Sequence, residues 1–342
     1  MMLKRSPALA LAGLCVSLGA PPHAQAATAY PLTLESCGHD IILEKAPARV
    51  VTIGQAPTEM LYLLGLEEHV AGTSLWVNPV LETFAEANAD VERLSDNAPS
   101  FESVLAQEPD LVISAYEWMV GPAGAVGTSA MFDDAGVPLW TLPTECVGKD
   151  NHQSMDGARE RLFDPALVYQ SIETLADIFD VAERGESAVS DLQARETAAI
   201  EAAQALDLSN ELRGVFWYSS ADLGIDPYVA GVNSVPDWMM TTLGIDNVVR
   251  IDQEWPTVGW ESIARADPTF IAAARMDRRR FPADDIAVKR EFLQNDPVTR
   301  LLEAVEQDRL VEIDAHAMDP SIRSIYALET LVEALAEMDL SS

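Results

Sequence analysis

Lysine is scarce in this sequence of 342 residues, which carries 22 lysine and arginine residues against 55 aspartate and glutamate residues. The formal net charge is therefore −33 at pH 7. Such an excess of negative charge excludes binding to nucleic acid, or to an anionic membrane surface, through bulk electrostatic attraction. It suits a saline medium, in which counterions screen the repulsion between surface carboxylates.

Motifs of common enzyme classes are also absent. The sequence has no GxSxG nucleophile elbow, no Walker phosphate loop and no GxGxxG dinucleotide fingerprint. Scattered histidines without HxxxH or CxxC spacing argue against a metal site, and no resident cofactor is expected. These histidines are His39, His69, His152 and His316. An exported enzyme with dispersed catalytic residues and an exported metal-binding protein remain the alternatives from other functional classes.

Long apolar runs are missing except near the N-terminus. Lys4 and Arg5 precede an apolar segment, Leu9 to Gly19, that is too short to span a membrane. Ala24-Gln25-Ala26 then has the small-x-small pattern of a signal peptidase site. We predict a signal peptide over residues 1–26, cleaved after Ala26, and a soluble protein in the periplasm.

The chain has few cysteines. Cys15 lies in the apolar segment after Leu14, whereas a lipoprotein signal requires a small residue before its cysteine. Cleavage leaves Cys37 and Cys146, and two cysteines in an oxidising compartment predict one disulfide. Two free, buried thiols are the alternative.

Short β-branched runs alternate with helical segments in both halves of the chain. Arg49–Gly54 and Leu111–Ser114 in the first half, and Gly214–Tyr218 and Thr269–Ala274 in the second, are typical of buried parallel strands. The pattern predicts an α/β fold of two lobes with mostly parallel sheets flanked by helices.

Between the two halves, residues 165–205 have apolar residues at helical spacing, which predicts one long connecting helix. Gly185 is a candidate point of division within it. The predicted boundaries are an N-terminal lobe over 27–164, the connecting helix over 165–205 and a C-terminal lobe over 206–342. Because one helix is stiffer than paired strands, only a modest lobe movement is expected on binding.

The two halves repeat a short sequence motif. Phe101-Glu102-Ser103-Val104 precedes Pro109, and Trp260-Glu261-Ser262-Ile263 precedes Pro268 at the same spacing. A second match, in the same order, relates the segment from Pro57 to the one from Pro236. Two ordered matches indicate two related lobes, with chance similarity between βαβ units as the alternative.

These residues resemble the periplasmic binding proteins of iron-siderophore and cobalamin importers, whose lobes are joined by one long helix. The resemblance extends over nearly all of the chain after residue 26. It rests on five segments in order: Arg49–Leu66, Phe101–Ile113, Asp133–Trp140, Gly259–Ile271 and Asp296–Asp314.

Within that class the chain is similar to an actinobacterial subgroup that carries CGHDI, DNAPSFE, CVGKDN and DPSIRS. Members of the subgroup are described as transporters of a deazaflavin coenzyme precursor or as iron-complex binders. Cys37 and Cys146 both fall on cysteines of the subgroup's pattern, which supports their pairing. The chain departs from the pattern at Ala230–Ser234, where the subgroup has a cysteine-containing, glycine-rich turn.

The resemblance implies a monomeric, non-catalytic solute-binding component of an ABC importer. Its ligand would be a ferric-siderophore-like chelate, with a corrinoid or a deazaflavin-coenzyme precursor as the alternatives. Glu102 and Glu261 match the pair of glutamates that, in the family, dock into arginine pockets of the two transmembrane permease subunits. A glutamate in the first turn of a helix also favours the helix dipole, which is the alternative explanation.

The ligand is expected between the strand ends of the two lobes, where aromatic side chains after strands could pack on it. Core packing is the alternative for each of them. The candidates are Trp76, Tyr116, Trp118, Trp217, Tyr218, Tyr228 and Trp255.

Five arginines are candidates for contact with an anionic ligand: Arg275, Arg278, Arg279, Arg280 and Arg323. The first four form a cluster directly after a predicted strand, and the last opens the final helix. A solvated face that pairs with Asp284 and Asp285 is an equally good explanation of the cluster.

Overall fold

A computed structural model describes residues 27–122, 124–151, 157–206 and 212–338. The predicted signal peptide and His152 lie outside these residues. The described chain begins with a hairpin of β1 (Leu32–Ser36) and β2 (His39–Leu43), whose register places Leu32 opposite Leu43. Cys37 and Gly38 form its two-residue turn with positive φ angles of 47° and 86°.

The first sheet contains five parallel strands in the order β5-β4-β3-β6-β7. Its central strand is buried along its whole length, as expected for a parallel strand covered on both faces. The strands are β3 (Val50–Ile53), β4 (Val70–Ser74), β5 (Arg93–Ser95), β6 (Leu111–Ser114) and β7 (Leu139–Thr141).

Helices cover both faces of this sheet. They are α1 (Gln55–Leu63), α2 (Ala85–Asn88), α3 (Phe101–Leu105), α4 (Glu117–Val120), α5 (Ser129–Asp134) and α6 (Pro143–Cys146), with 3-10 turns at Glu67–His69 and Glu82–Phe84. A small hairpin of β8 (Lys149–Asp150) and β9 (Ala158–Arg159) follows. Gly54 joins β3 to α1 with φ 119°, and a Cβ there would lie 2.3 Å from the Ala115 Cβ. Glycine is therefore required where these two strand ends approach each other.

Two consecutive helices connect the sheets: α7 (Ala166–Ile178) and α8 (Ala182–Ala205). The division falls at Asp180, which has a left-handed φ of 56°, and not at Gly185, so the candidate division point was wrong. Gly185 is buried inside α8. A Cβ on it would lie 2.5 Å from the Ala176 Cβ, so glycine allows α7 and α8 to pack closely.

The second sheet has the order β11-β10-β13-β14, with β12 also paired to β10. Its pairings are parallel except that of β11. The strands are β10 (Arg213–Ser219), β11 (Tyr228–Val229), β12 (Asp246–Asn247), β13 (Phe270–Arg275) and β14 (Leu310–Asp314). The helices are α9 (Val235–Thr242), α10 (Trp260–Ala266), α11 (Ile286–Asn295), α12 (Glu303–Glu306) and α13 (Ile322–Glu337), with 3-10 turns at Pro282–Asp284, Thr299–Leu301 and Ala315–Met318.

One apolar core extends from the first sheet to the second. Leu61 of α1, Ile172 of α7, Leu192 of α8 and Leu328 of α13 all belong to it. Separate clusters fill the opposite face of each sheet. The predicted two-lobe α/β fold is confirmed: each sheet with its helices forms a lobe, and α8 packs against α7 on one side and α13 on the other. The predicted boundary residues stay a prediction.

None of the described helices is long and apolar enough to cross a lipid bilayer.

Candidate functional site

The carboxyl ends of strands from the two sheets face each other. Asn78, which follows β4, donates to the Arg275 carbonyl at the end of β13 (3.0 Å) and to Asp314 at the end of β14 (2.6 Å). The Asp277 amide donates back to the Asn78 side chain at 2.9 Å. Ligands of α/β proteins bind at such strand ends, so the region between them is the candidate ligand cleft.

Aromatic side chains from both lobes lie in this region. Tyr116 and Trp118 of the first lobe have ring centroids 6.0 Å apart, and Tyr218 and Trp255 of the second have centroids 4.8 Å apart. All four are half-buried. Burial, Asp319 and Tyr218 together raise the pKa of Tyr116 well above its ordinary value. These four predicted residues form what we call the aromatic cleft.

Asp319 is the acidic neighbour of the aromatic cleft. Its carboxyl group lies 3.3 Å from the Tyr116 hydroxyl, which makes this a contact between the lobes. Burial, with Glu254 and Glu145 nearby, raises the pKa of Asp319 to about 7. The carboxyl group therefore changes charge near neutral pH.

A buried ion network also connects the two lobes. Lys149 donates to Glu145 at 2.9 Å, and Arg159 lies 3.8 Å from the same carboxylate. Arg159 also donates to Glu254 of the second lobe at 3.1 Å. Burial disfavours charge on Lys149, but Glu145 and Glu254 outweigh it and raise the amine's pKa. The β8–β9 hairpin thus carries a charged connection from one lobe to the other.

The predicted disulfide is present between Cys37 and Cys146, with Cα atoms 4.8 Å apart. Cys146 ends α6, so the bond ties the segment that carries Glu145 and Lys149 to the turn of the β1–β2 hairpin.

A cavity of about 610 Å³ lies beside the disulfide and is lined entirely by first-lobe residues. It is therefore on the flank of that lobe and not between the sheets.

Three predicted aromatic residues lie elsewhere. Trp76 is 2% exposed and packs under the Arg93 guanidinium, 4.6 Å from its ring centroid. Trp217 is 0% exposed and packs against Trp260 in the core of the second lobe. Tyr228 lies on the edge strand β11, opposite Ser219. Trp76 and Trp217 thus fit the core-packing alternative.

Three of the four arginines in the cluster after β13 have polar or charged side-chain partners. Arg275 pairs with Asp277 at 3.3 Å, and Arg279 pairs with Asp285. The Arg278 side chain donates to Asn97 of the first lobe. The guanidinium of Arg280 lies 5.4 Å from the Phe281 ring centroid. Two of the four therefore pair with nearby aspartates, and one connects the lobes.

Arg323 is buried in an ion pair between the lobes. Its guanidinium donates to Glu59 of α1, to Asp314 at the end of β14 and to the Pro79 carbonyl. Four of the five N–H donors of this guanidinium are therefore directed at protein groups, and two carboxylates already neutralise its charge.

Several residues of the region were not predicted: Glu145, Lys149, Arg159, Glu254, His316, Asp319 and Lys289. The CVGKDN segment contains Lys149, whose partner Glu145 is only four residues away. Arg159 and Glu254, by contrast, are 95 positions apart, and nothing local to either indicates the other. Lys289 is buried and donates to the Tyr218 and Ala274 carbonyls at 2.5 and 2.7 Å. Burial lowers its pKa to about 7. It holds the strand end that presents Tyr218.

Glu102 and Glu261 occupy matching positions in the two lobes. Each follows an aromatic residue that anchors its helix: Phe101 packs on Phe132, and Trp260 packs on Trp217, both with ring centroids 5.0 Å apart. Both carboxylates are exposed, and neither has an ion-pair partner among the residues that the structure describes.

Within the described ranges, no group of three or more histidine, cysteine, aspartate or glutamate side chains could hold a metal ion.

The fold and the cleft define a two-lobed binding protein whose lobes are connected by the consecutive helices α7 and α8. The sequence profile described as "Periplasmic binding protein" matches residues 50–317, and the chain belongs to this family. Its members bind substrates for transport and are not enzymes.

Individual relatives agree with this assignment. The uncharacterized ABC transporter substrate-binding lipoprotein YvrC of Bacillus subtilis is 22% identical over 308 residues, covering 90% of this chain and 86% of the relative. A periplasmic binding protein from Veillonella parvula superposes with a TM-score of 0.74 at 22% identity, covering 90% of this chain and 98% of that one. An ABC-type Fe3+-hydroxamate transport protein from Saccharomonospora viridis gives 0.70 at 22% identity, with 90% and 99% covered.

Proposed function

We propose that this chain captures a ferric-siderophore-like chelate outside the cytoplasm and delivers it to the permease of an ABC importer. The observation that carries the proposal is the aromatic cleft, which brings rings from both lobes to facing strand ends. Such rings offer broad apolar contact to a bulky chelate, while the buried polar groups around them can fix its orientation.

Export is part of the proposal. The signal peptide over 1–26 lies outside the described residues, but the Cys37–Cys146 bond is consistent with an oxidising compartment.

Delivery is proposed to use Glu102 and Glu261. One exposed, unpaired carboxylate on each lobe suits a permease built from two related subunits, because an arginine pocket in each subunit could accept one of them. The aromatic residue before each glutamate fixes its helix to the lobe.

The first experiment is mass spectrometry of the protein purified from its native periplasm, under non-denaturing and then denaturing conditions. A ferric chelate that appears only in the native spectrum supports the proposal. A released corrinoid or deazaflavin precursor retains the transport role and replaces the ligand. A bare metal ion as the sole adduct contradicts chelate capture.

Docking is tested separately with Glu102→Gln and Glu261→Gln in proteoliposomes that contain the permease. Each variant should bind ligand normally but stimulate ATP hydrolysis about tenfold less, which corresponds to ~1.4 kcal/mol of lost interaction. Glu183→Gln is the matched control, since Glu183 is also exposed and in the first turn of a helix. Equal effects of all three substitutions would contradict docking through the predicted pair.

A further inference from the structure

The charged groups around the aromatic cleft do not balance. Lys149 pairs with Glu145, and Arg159 pairs with Glu254. No lysine or arginine in the described part of the chain lies within ion-pair distance of Asp319. Asp319 therefore gives the cleft a carboxyl group without a lysine or arginine in direct contact, 17% exposed and next to the Tyr116 hydroxyl.

His316 does not supply the missing positive charge. Its Nδ1 lies 3.9 Å from the Asp319 carboxylate, beyond a hydrogen bond, and both ring nitrogens are buried without a partner. Burial lowers the pKa of His316 to about 4, so the ring is neutral near pH 7. A buried, unpartnered polar ring thus lies against the carboxyl group that faces the aromatic cleft.

Four of the five candidate arginines pair with or donate to protein side chains, and Arg280 contacts the Phe281 ring. Arg323 is neutralised by Glu59 and Asp314. Arg275 and Arg279 have aspartate partners, and Arg278 donates to Asn97. The net charge of −33 adds a long-range field that opposes the approach of an anion.

We infer that the ligand of this cleft presents a neutral or positively charged group to Asp319, Tyr116 and the surrounding rings, and that anionic chelates are rejected. This inference rests on the proposed function and specifies the charge of its ligand. A cation between the rings would gain cation–π attraction as well as attraction to the carboxylate. An anion would be repelled by that carboxylate. Lys149 and Arg159 of the ion network could not offset the repulsion, because both are already paired.

The test uses three forms of one linear ferric trihydroxamate that carries a terminal amine. Three hydroxamates neutralise the ferric ion, so the free ammonium form is cationic, the N-acetylated form neutral and the N-succinylated form anionic. Metal, chelating groups and overall size are nearly constant across the series. Isothermal titration calorimetry at pH 8 and low salt should give the affinity order ammonium, acetyl, succinyl, with about tenfold between successive forms.

Asp319→Asn removes the charge while keeping an acceptor for Tyr116. This substitution should reduce the ratio of the affinities for the ammonium and acetyl forms from about ten to about one. Asp308→Asn is the matched control, because Asp308 lies before the amino end of β14, away from the carboxyl ends of the strands that face the cleft, and pairs with Arg290. The control should retain the full preference.

The outcomes separate the two proposals. Equal binding of the three forms, or the reverse order, overturns the inference on charge and leaves chelate capture standing. An unchanged preference in Asp319→Asn also overturns it. Failure of all three forms to bind, together with a native ligand that is not a chelate, overturns the proposed ligand class itself.

Discussion

Arg323 of the last helix and Glu59 of the first helix form a buried ion pair between the lobes. Arg323 is 4% exposed and Glu59 0%. The guanidinium donates from Nε to one carboxylate oxygen at 2.8 Å and from Nη2 to the other. Because both charges are removed from water, Glu59 without Arg323 would be left uncompensated in the interior, whereas Arg323 without Glu59 would retain Asp314.

Arg323→Gln should therefore destabilise the protein by about 3–5 kcal/mol, the usual cost of leaving a buried charge unpaired, because Glu59 then loses its cation. Urea denaturation followed by tryptophan fluorescence measures the change. Glu329→Gln is the control, since Glu329 pairs with Arg195 at 2.8 Å on the surface, where a pair contributes less than about 1 kcal/mol. Similar losses for both variants would show that the buried pair contributes little.

Local features of this fold could be predicted from the sequence, whereas contacts between lobes could not. The repeated aromatic-Glu-Ser motif is a local feature, and it singled out Glu102 and Glu261, which are both exposed. The aromatic residue before each glutamate packs within the same lobe, so the motif does not depend on contacts between lobes. Glu59 and Arg323, by contrast, are 264 positions apart, and nothing local to either indicates the other. Arg323 was predicted to contact an anion, and its partner is a carboxylate of the protein.

The two neighbours Trp217 and Tyr218 show where the site prediction was too coarse. Strand β10 continues to Ser219, so Trp217 lies inside the strand and points into the core, while Tyr218 points the other way. Alternation along a strand explains the difference. The predicted strand, Gly214–Tyr218, already contained both residues, but the site prediction did not apply this alternation to them.

Replacing Cys37 and Cys146 together by serine should lower stability by about 4–5 kcal/mol, because the disulfide closes a loop of 109 residues in the unfolded chain. Guanidinium denaturation with and without a reducing agent measures this. The reducing agent should destabilise the parent protein and leave the double variant unchanged. Equal stability of the two proteins without reducing agent would contradict a stabilising bond.

Asp319 should make the folded state less stable as the pH rises. Its pKa is about 7 in the folded protein, compared with about 4 when unfolded, so the folded state retains a proton between these values that the unfolded state has lost. Stability from this group is full below pH 4 and declines up to pH 7.

Asp319→Asn should remove this decline. The variant should match the parent near pH 4 and exceed its stability by about 2–4 kcal/mol at pH 8. Denaturation midpoints across that range provide the measurement. Tyr116, Glu254, Glu145, Lys149 and His316 surround the group and are unchanged in the comparison. A variant less stable than the parent at pH 8 would contradict the predicted sign.

Movement of the lobes on binding should be small, because α8 is fixed to both of them. Arg184 donates to the Leu64 and Gly65 carbonyls of the first lobe at 3.1 Å. Arg195 pairs with Glu329 of the second lobe, and apolar residues of α8 belong to the core that both lobes share. A wide hinge motion would have to open this core, whereas a small shift of packed helices would not.

Small-angle scattering of the protein with and without its ligand should therefore show a change in radius of gyration of less than about 1 Å, as expected for shear between packed elements and not for domain closure. Arg184→Ala should enlarge the change by releasing the first turn of α8 from the first lobe. If the parent protein instead contracts by several ångströms, the helix bends or detaches on binding, and the shared core is not the restraint that its packing indicates.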